Sequence, residues 1–454
     1  MTGTPLTDAV RAYSRSTTAR LHVPAHGGGP GNPPLEALFP GLCSWDVTEQ
    51  PELDDLSHPE GPLAAAQAAA AALYGAEDAH YLTGGATQGV QAAVLASLLH
   101  GGALLASRDS HRSLLGAALL ADADVVLAAP ARDPKFGVSL GLSPRTVERA
   151  FLEHPDIGAV LVTYPTYLGI APELDAIARI ARDRGAITIA DAAHGAHFGW
   201  HAALPPAALA EGADLVVAGM HKSGGSLTQT ALLLEGPRGT ERHAELGLAL
   251  HLIGTSSPSY LLMLSLEQAV QSALTQRERL LERAIAAGEG IRSKARVATG
   301  RPQDPMRIAL QFESPTQAQE SCSALAREGV RPEYLEDATA LFIVPLGEPP
   351  ALDGLARVAA ALREPAFAED REAPPEIRRV RLGRALRSRR ERRRLVEAAG
   401  RTAADVVSVV PPGIPALWPG EEISPQAVEG LARALGQGRR VMGIDQGWLW
   451  VVAE

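Results

Sequence analysis

The sequence predicts an α/β fold: a large domain with a mainly parallel sheet, followed by a smaller α+β domain at the C-terminal end. Short, continuous apolar runs alternate with longer helical stretches between residues 79 and 219, and the elements become shorter beyond about residue 300. Apolar strands that alternate with helices are typical of a parallel sheet covered on both faces. In such sheets, ligands bind beyond the carboxyl ends of the strands.

The expected elements follow in order along the chain. The first 60 residues are rich in Pro and Gly and then acidic, so we expect an arm or loop rather than a helix. An Ala-rich run at 62–74 predicts a helix with Pro in its first turn. Expected strands cover 79–82, 102–107, 124–129, 158–163, 186–190 and 214–219, with helices at 88–100 and 172–185. A helical connection at 258–292 precedes strands at 307–314 and 340–346. We therefore expect an arm at 1–60, a large domain at 61–290 and a small domain at 291–454.

Composition excludes several classes of protein. A net charge of -10 argues against a generally basic surface that coats nucleic acid. The two cysteines, Cys43 and Cys322, are too few for a disulfide framework or a four-cysteine metal site. The N-terminal residues do not have the pattern of a signal peptide, and no run of about 20 apolar residues predicts a membrane span. We therefore expect a cytoplasmic protein that binds neither membrane nor nucleic acid.

A carboxylate and an amine follow two consecutive predicted strands. Asp191 follows the strand at 186–190, and Lys222 follows the strand at 214–219. Pyridoxal 5'-phosphate (PLP) needs this pair, because a lysine carries the cofactor as a Schiff base and an acid keeps its ring nitrogen protonated. By themselves the two residues would more often be a surface ion pair or unrelated loop residues.

Three further segments follow predicted strands. The Gly-rich turn Thr83–Val90 opens a helix, where backbone N–H groups and the Thr87 hydroxyl favour a phosphate. His111 lies where its flat ring could stack on a flat cofactor. His194 and His197 come soon after Asp191, but no third ligand at suitable spacing accompanies them, so we expect no metal site.

Several long segments resemble the fold-type I ornithine/lysine/arginine decarboxylases of bacteria, in their small form. The resemblance is collinear over most of the chain and runs through HVPAHGGGPGN, ELDDLSHPEGPL, YLTGGATQGVQAAVLA, SRDSHRSLLGAALLADADVVL, VTYPTYLGIAPEL, DAAHGAHFGWH, GMHKSGGSLTQTALLL, TSSPSYLLMLSLE and VVPPGIPALWPGE. It implies a PLP-dependent, transferase-like large domain and decarboxylation of arginine, lysine or ornithine to the amine, which feeds polyamine metabolism.

The resemblance also implies a role for each matching residue. Lys222 is similar to the Schiff-base lysine, Asp191 to the partner of the pyridine nitrogen, and His111 to the histidine that stacks on the ring. His194 corresponds to a position that orients substrate or ring. Phosphate contacts are implied for Ala86, Thr87 and His221. The segment Thr255–Tyr260, with Thr255 and Ser256 near the cofactor, is similar to one that reaches the active site of a neighbouring subunit, which implies a homodimer or higher homo-oligomer with composite sites.

Substrate choice stays open at this stage. The distal cation of a basic amino acid calls for an acidic partner, and the candidates are Glu52, Asp54, Asp55 and Glu421. The chain departs from the family at Gly219 and Met220, where a Ser or Thr usually offers a hydroxyl to the phosphate.

Other classes of function also remain open. One is another PLP reaction on the same fold, an aminotransferase or a lyase. Another is a PLP-binding homologue without activity. The third is a nucleic-acid-binding protein, suggested by the Arg-rich stretch 378–395, for which we expect a solvated amphipathic helix.

Overall fold

The computed structural model describes residues 3–17, 19–293, 295–336, 338–364, 376–410 and 415–453. The N-terminal part is more helical than expected, and its helices are α1 (Pro5–Ser16), α2 (Pro33–Leu38), α3 (Leu42–Trp45) and α4 (Pro62–Tyr74). The expectation of an arm without helices is wrong, because α1 buries Leu6 and Val10 in the core. The Glu267 carboxylate also accepts hydrogen bonds from the first-turn N–H groups of Leu6 and Thr7, at 2.7 and 2.8 Å.

The central part of the chain alternates strands with helices. In chain order its elements are β1 (Asp78–Leu82), α5 (Gly85–Leu98), β2 (Ala103–Ser107), α6 (Ser113–Leu120), β3 (Val125–Ala128), β4 (Ala131–Arg132), β5 (Ser139–Gly141), α7 (Pro144–Glu153), β6 (Ile157–Thr163), α8 (Leu174–Asp183), β7 (Ile187–Ala192), β8 (Leu215–Ala218), α9 (Met220–Ser223), β9 (Ala231–Glu235), a 3₁₀ helix (Gly239–Arg242) and α10 (His243–Ile253). Each strand expected in this part is present, with ends shifted by one or two residues.

Strands β4 and β5 pair with each other, and the other strands form one large sheet in the order β1-β9-β8-β7-β6-β2-β3. In this order, the five neighbouring strands β8, β7, β6, β2 and β3 are parallel to one another. Strand β9 runs antiparallel to both of its neighbours, β8 and β1. The sheet is therefore mainly parallel, as the apolar runs predicted. Strands β7 and β8 are neighbours, so the segments that carry Asp191 and Lys222 leave the sheet side by side.

The long helix α11 (Tyr260–Gly290) connects the large sheet to a small antiparallel one. The elements of this second unit are β10 (Arg307–Gln311), α12 (Pro315–Arg327), β11 (Tyr334–Glu336), β12 (Thr339–Ile343) and α13 (Asp353–Ala361). The small sheet has the order β10-β12-β11. Within the described ranges, no helix is long and apolar enough to cross a membrane.

The remaining residues add two more small sheets and one strand to the large sheet. Their elements are β13 (Ile377–Val380), α14 (Leu382–Arg387), β14 (Arg390–Arg394), a 3₁₀ helix (Leu395–Glu397), β15 (Val407–Val410), β16 (Pro415–Leu417), α15 (Pro425–Gly436), β17 (Arg440–Met442), β18 (Ile444–Asp445) and β19 (Trp448–Val452). Strand β13 pairs antiparallel with β3 at the edge of the large sheet. The C-terminal sheets have the orders β14-β19-β18 and β16-β15-β17.

The Arg-rich stretch 378–395 is not the single amphipathic helix that we expected, because it is divided among β13, α14 and β14. Its arginines have acidic partners: Arg379 contacts Asp124 and Asp156 at 2.8 Å. In β14, alternate arginines lie on one face of the strand and stack over tryptophans of β19. Paired and stacked in this way, the arginines do not form a continuous unpaired basic surface.

Candidate active site

A cavity of about 1260 Å³ lies at the carboxyl ends of the parallel strands. The small sheet β10–β12 and the β15–β16 region contribute its outer walls. The cavity brings together most of the residues singled out from the sequence, namely Ala86, Thr87, His111, Asp191, His194, His221 and Lys222.

Asp191 and Lys222 reach this cavity from adjacent strands. Asp191 is 6% exposed, and its Oδ1 accepts a hydrogen bond from the Ala193 N–H at 3.1 Å. Lys222 lies in the short helix α9, directly after β8. A Cβ at Gly219 would lie 2.4 Å from the Ala193 carbonyl oxygen, so only glycine lets these two segments approach so closely. The missing hydroxyl at this position is therefore a consequence of packing.

A chain of hydrogen bonds connects Lys222 to a buried arginine. The Lys222 Nζ is 3.0 Å from His194 Nε2, and His194 Nδ1 is 2.8 Å from the Arg307 guanidinium. A guanidinium can only donate, so His194 Nδ1 must accept and the ring proton must lie on Nε2. The Nε2–H then donates to Lys222, whose amine must accept as a neutral base.

The electrostatics agree with this assignment. Burial, and then the charge of Arg307, hold the pKa of His194 well below its usual range. Burial also lowers the pKa of the Lys222 amine, against the opposing charge of Asp191. His111 behaves in the same way, because burial lowers its pKa although Asp191 raises it. The cavity therefore holds two imidazoles and an amine whose pKa values are all lowered, and the Asp191 carboxylate acts on His111 and on Lys222.

Arg307 is in turn held by fixed partners. It is 1% exposed and donates to the Tyr167 carbonyl at 3.0 Å, while its Nε lies 3.4 Å from the Asp304 carboxylate. Asp304 also contacts His197 Nε2 at 3.0 Å. His197 and His194 therefore have different partners.

The Gly-rich turn that we expect to bind a phosphate also lines the cavity. Gly85 has a φ of +72°, a left-handed conformation that favours glycine and turns the chain from β1 into α5. The first turn of α5 carries Ala86 and Thr87, so free N–H groups at a helix N-terminus face the cavity. His221 lines the same wall, with Nδ1 2.9 Å from the Thr230 carbonyl. It therefore carries a proton on Nδ1 and leaves Nε2 for another partner.

These residues fit PLP. A nucleophilic amine, a carboxylate beside it and a helix N-terminus for a phosphate share one cavity. A buried hydroxyl of the cavity wall, Thr163 Oγ1, also has no hydrogen-bond partner among the described residues, as expected where a polar ligand binds. The fold and the site together define a fold-type I PLP-dependent enzyme.

Several predicted site residues do not line this cavity in the described part of the chain. Thr255 and Ser256 lie exposed in the loop between α10 and α11. Glu421 is buried and pairs with Arg108. The other acidic candidates, Glu52, Asp54 and Asp55, lie in the segment before α4.

Asp54 has a clear structural role. Its carboxylate accepts hydrogen bonds from the backbone N–H groups of Glu60, Gly61 and Leu63 at 3.0, 2.7 and 3.1 Å. Burial alone would raise its pKa, but these backbone donors lower it. Asp54 therefore holds the start of α4, which explains an acidic residue at this position without a substrate.

Sequence reasoning missed three residues near the Lys222 amine. Arg307 and the Tyr167 backbone position His194, and the Tyr167 hydroxyl donates to Glu333 at 2.8 Å. The Tyr167 ring meets the His194 ring edge to face, with centroids 4.7 Å apart. The one sequence signal was the position of Arg307 at the start of an otherwise apolar strand, since a buried arginine needs fixed partners.

Comparison with known proteins places the chain in a family. The profile of the Orn/Lys/Arg decarboxylase major domain matches residues 4–348, and that of the C-terminal domain matches residues 376–435. An arginine decarboxylase of Bacillus anthracis is 30% identical over 97% of this chain and 94% of its own length. The Escherichia coli constitutive lysine decarboxylase has a TM-score of 0.80 at 18% identity, over 99% of this chain and 82% of that one. A structure of SPT with PLP has a TM-score of 0.52 at 18% identity, over 78% and 81%.

The chain therefore belongs to the Orn/Lys/Arg decarboxylase family. This membership confirms the resemblance, the predicted fold and PLP as the cofactor. It also confirms the expected class of enzyme, a decarboxylase of basic amino acids.

Proposed function

We propose that this enzyme converts arginine to its amine and carbon dioxide in the cytoplasm, as a step towards polyamines. The convergence of Lys222 and Asp191 in one cavity that also contains an acidic side chain, Glu333, is the observation that carries the proposal. Among the possible basic substrates, arginine is favoured by the B. anthracis relative described as an arginine decarboxylase.

Lys222 and Asp191 have complementary tasks in this proposal. The neutral Lys222 amine bonds covalently to the cofactor, and the Asp191 carboxylate keeps a proton on the ring nitrogen. Bound PLP supplies a cationic ring that takes up the electrons left at the α-carbon when carbon dioxide departs. Once substrate takes its place, the Lys222 amine would take a proton from the substrate ammonium and would return it to the α-carbon, with the His194 Nε2–H beside it.

The other cavity residues bind and orient. His111 presents a neutral ring for stacking, since its Nδ1 accepts from the Ser113 N–H at 3.2 Å and burial lowers its pKa. Ala86, Thr87 and His221 supply donors to the phosphate. The Tyr167 ring packs against His194 and fixes its plane. These contacts hold the reacting groups at the site before substrate arrives.

Glu333 is the proposed partner of the distal guanidinium. It lines the cavity, and its negative charge acts on Lys222 by raising the pKa of that amine. One carboxylate oxygen accepts from the Tyr167 hydroxyl, which fixes the direction of the group. A fixed carboxylate matches the fork of a guanidinium better than the point charge of an ammonium.

The test measures PLP absorbance, carbon dioxide release and KM for arginine in purified wild type and variants. We expect Lys222→Ala to lose both the visible absorbance of bound PLP and all carbon dioxide release from arginine. We expect Glu333→Gln to raise KM for arginine about tenfold with a smaller change in kcat, since it removes a contact made before the reaction. The matched control is Glu336→Gln, because that carboxylate lies on the same wall but already pairs with Arg439 at 2.7 Å.

Two outcomes would contradict the proposal. If arginine yields an oxo acid rather than carbon dioxide, the protein is an aminotransferase. An aminotransferase would need an arginine free to bind the α-carboxylate, whereas the Arg307 guanidinium is already bound to Asp304, Tyr167 and His194. If Glu333→Gln and Glu336→Gln behave alike, Glu333 does not select the substrate.

We also propose that two copies of the chain share their active sites. The loop with Thr255 and Ser256 lies exposed next to α10, whose Leu248 and Leu252 are 46% and 64% exposed. Apolar side chains exposed together on one helix are typical of a surface that a partner covers. We expect light scattering to give twice the chain mass. We also expect a mixture of Lys222→Ala and Ser256→Trp chains to recover activity that neither variant has alone.

A further inference from the structure

A cluster of two histidines and two carboxylates lies at the end of the large sheet remote from the cofactor cavity. We call it the edge cluster, and its members are Asp78, His80, Glu235 and His243. Asp78 and His80 alternate on β1 and so share a face, and Asp78 is paired across the strands with Glu235 of β9. His243 is the first residue of α10. Three separate elements therefore bring four metal-binding side chains to one place.

The distances within the edge cluster suit a small metal ion. The potential ligand atoms all lie within 4.8 Å of one another. Glu235 Oε1 is 2.7 Å from His80 Nε2 and 2.9 Å from His243 Nδ1, and Asp78 Oδ2 is 3.9 Å from the same Nδ1. Ligands of tetrahedral zinc lie about 3.3 Å apart, because each is about 2 Å from the metal. The observed separations bracket that value.

The buried carboxylate of Glu235 is a second, independent observation that points to a bound cation. Its side chain is 0% exposed, and its Oε2 has no hydrogen-bond partner in the described part of the chain. Both histidines approach the other oxygen, Oε1. A buried carboxylate oxygen without a partner is costly, and a cation bound by both carboxylate oxygens would remove that cost.

We propose that the edge cluster binds one divalent transition metal ion, for which Zn²⁺ is the best match. Two imidazoles and two carboxylates are ligands that Zn²⁺ accepts, whereas Mg²⁺ and Ca²⁺ favour oxygen ligands alone. The His243 side chain is 58% exposed, so the ion can enter from solvent. A metal bound there connects β1, β9 and the start of α10. Strand β1 begins at this cluster and ends at the Gly-rich turn that we expect to bind the phosphate.

The experiment uses PLP-loaded protein, so that the cofactor occupies the histidines of the active site. After treatment with a chelator, Zn²⁺ is titrated by calorimetry, and Co²⁺ is added to a second sample for its visible absorption. We expect one ion per chain and a Tm that rises with the metal concentration. Loss of one ligand in His243→Asn or His80→Gln should weaken Zn²⁺ binding at least about 10-fold. The matched control is His251→Asn, an exposed histidine later in α10, which should bind as wild type does.

Two results would overturn the proposal. One is the absence of saturable binding in wild type, which would leave the edge cluster as a hydrogen-bonded network. The other is equal affinity in wild type, His243→Asn and His80→Gln, which would place the metal elsewhere. Carbon dioxide release from arginine should persist in both variants, so failure of this site is distinguishable from failure of the proposed function.

Discussion

The buried contacts of Arg307 lead to the sharpest prediction. In Arg307→Met the Tyr167 carbonyl and His194 Nδ1 lose their donor, and the buried Asp304 keeps only the His197 ring and the Met306 N–H as partners. Removing one member of a buried ion pair costs about 3–5 kcal/mol, because the other charge stays buried. With an m-value of about 3 kcal/mol/M, the urea midpoint should fall by roughly 1–1.7 M. Tryptophan fluorescence at fixed chain concentration, with PLP in excess, measures the shift.

The matched control is Arg296→Met. Arg296 also donates inside the fold, but to the carbonyls of Gly288, Ile291 and Pro305, so its loss strands no carboxylate. We expect a smaller cost, about 1–3 kcal/mol. The reasoning is refuted if the two variants shift the midpoint equally, or if Arg307→Met shifts it by less than the control.

Arg307→Met should also change the ionisation of His194. The positive charge of Arg307 is one cause of the low pKa of His194, so that pKa should rise in the variant. The Nδ1 atom also becomes free to carry a proton. Nitrogen-15 NMR of histidine-labelled apoprotein distinguishes the two tautomers, and an unchanged spectrum would contradict the proposed fixing of the ring by Arg307.

Three further predictions concern separate parts of the molecule. Asp191→Asn should retain PLP but lower carbon dioxide release about 100-fold or more, since it removes a charge that stabilises the transition state; near wild-type turnover would exclude that role. The rate at which apoprotein binds PLP through Lys222 should level off at a pH below about 10.4, the pKa of a free lysine, because burial lowers the pKa of this amine. Asp54→Asn should cost about 1 kcal/mol at neutral pH. Because the folded pKa of Asp54 is lowered, its contribution is complete above the unfolded pKa of about 4 and is lost as pH falls through the folded value, so the difference from wild type should shrink in acid.

The sequence by itself determined the large sheet and the centre of the active site. Strand and helix periodicity are local properties, and the carboxyl ends of adjacent parallel strands meet at one edge. Asp191 and Lys222 could therefore be placed together from their positions after two consecutive strands. The same reasoning predicted a phosphate at the first turn of α5, because a Gly-rich turn before a helix leaves its N–H groups free.

Expectations based on composition alone were less secure. The ten arginines in 378–395 favour one solvated helix by composition, but several of them pair with distant acids or stack on tryptophan rings of another strand. The Pro- and Gly-rich N-terminal part contains α1, whose first turn is capped by Glu267. The acidic residue Asp54, a candidate for substrate, binds backbone N–H groups instead. The partners of Arg379 and of α1 are far away in the sequence, whereas the N–H groups that Asp54 binds lie within ten residues of it.

Tertiary structure alone decided the protonation of the site and the wall that faces the substrate. Arg307 and His194 are 113 residues apart, and only their contact in the fold fixes the His194 tautomer and the neutral state of Lys222. Glu333 comes to the cavity directly before β11 of the small sheet, and the edge cluster joins residues of two strands and a helix. Periodicity and motifs report what neighbours in sequence do. Burial and long-range contacts, which set pKa values and ligand geometry, exist only once the chain has folded.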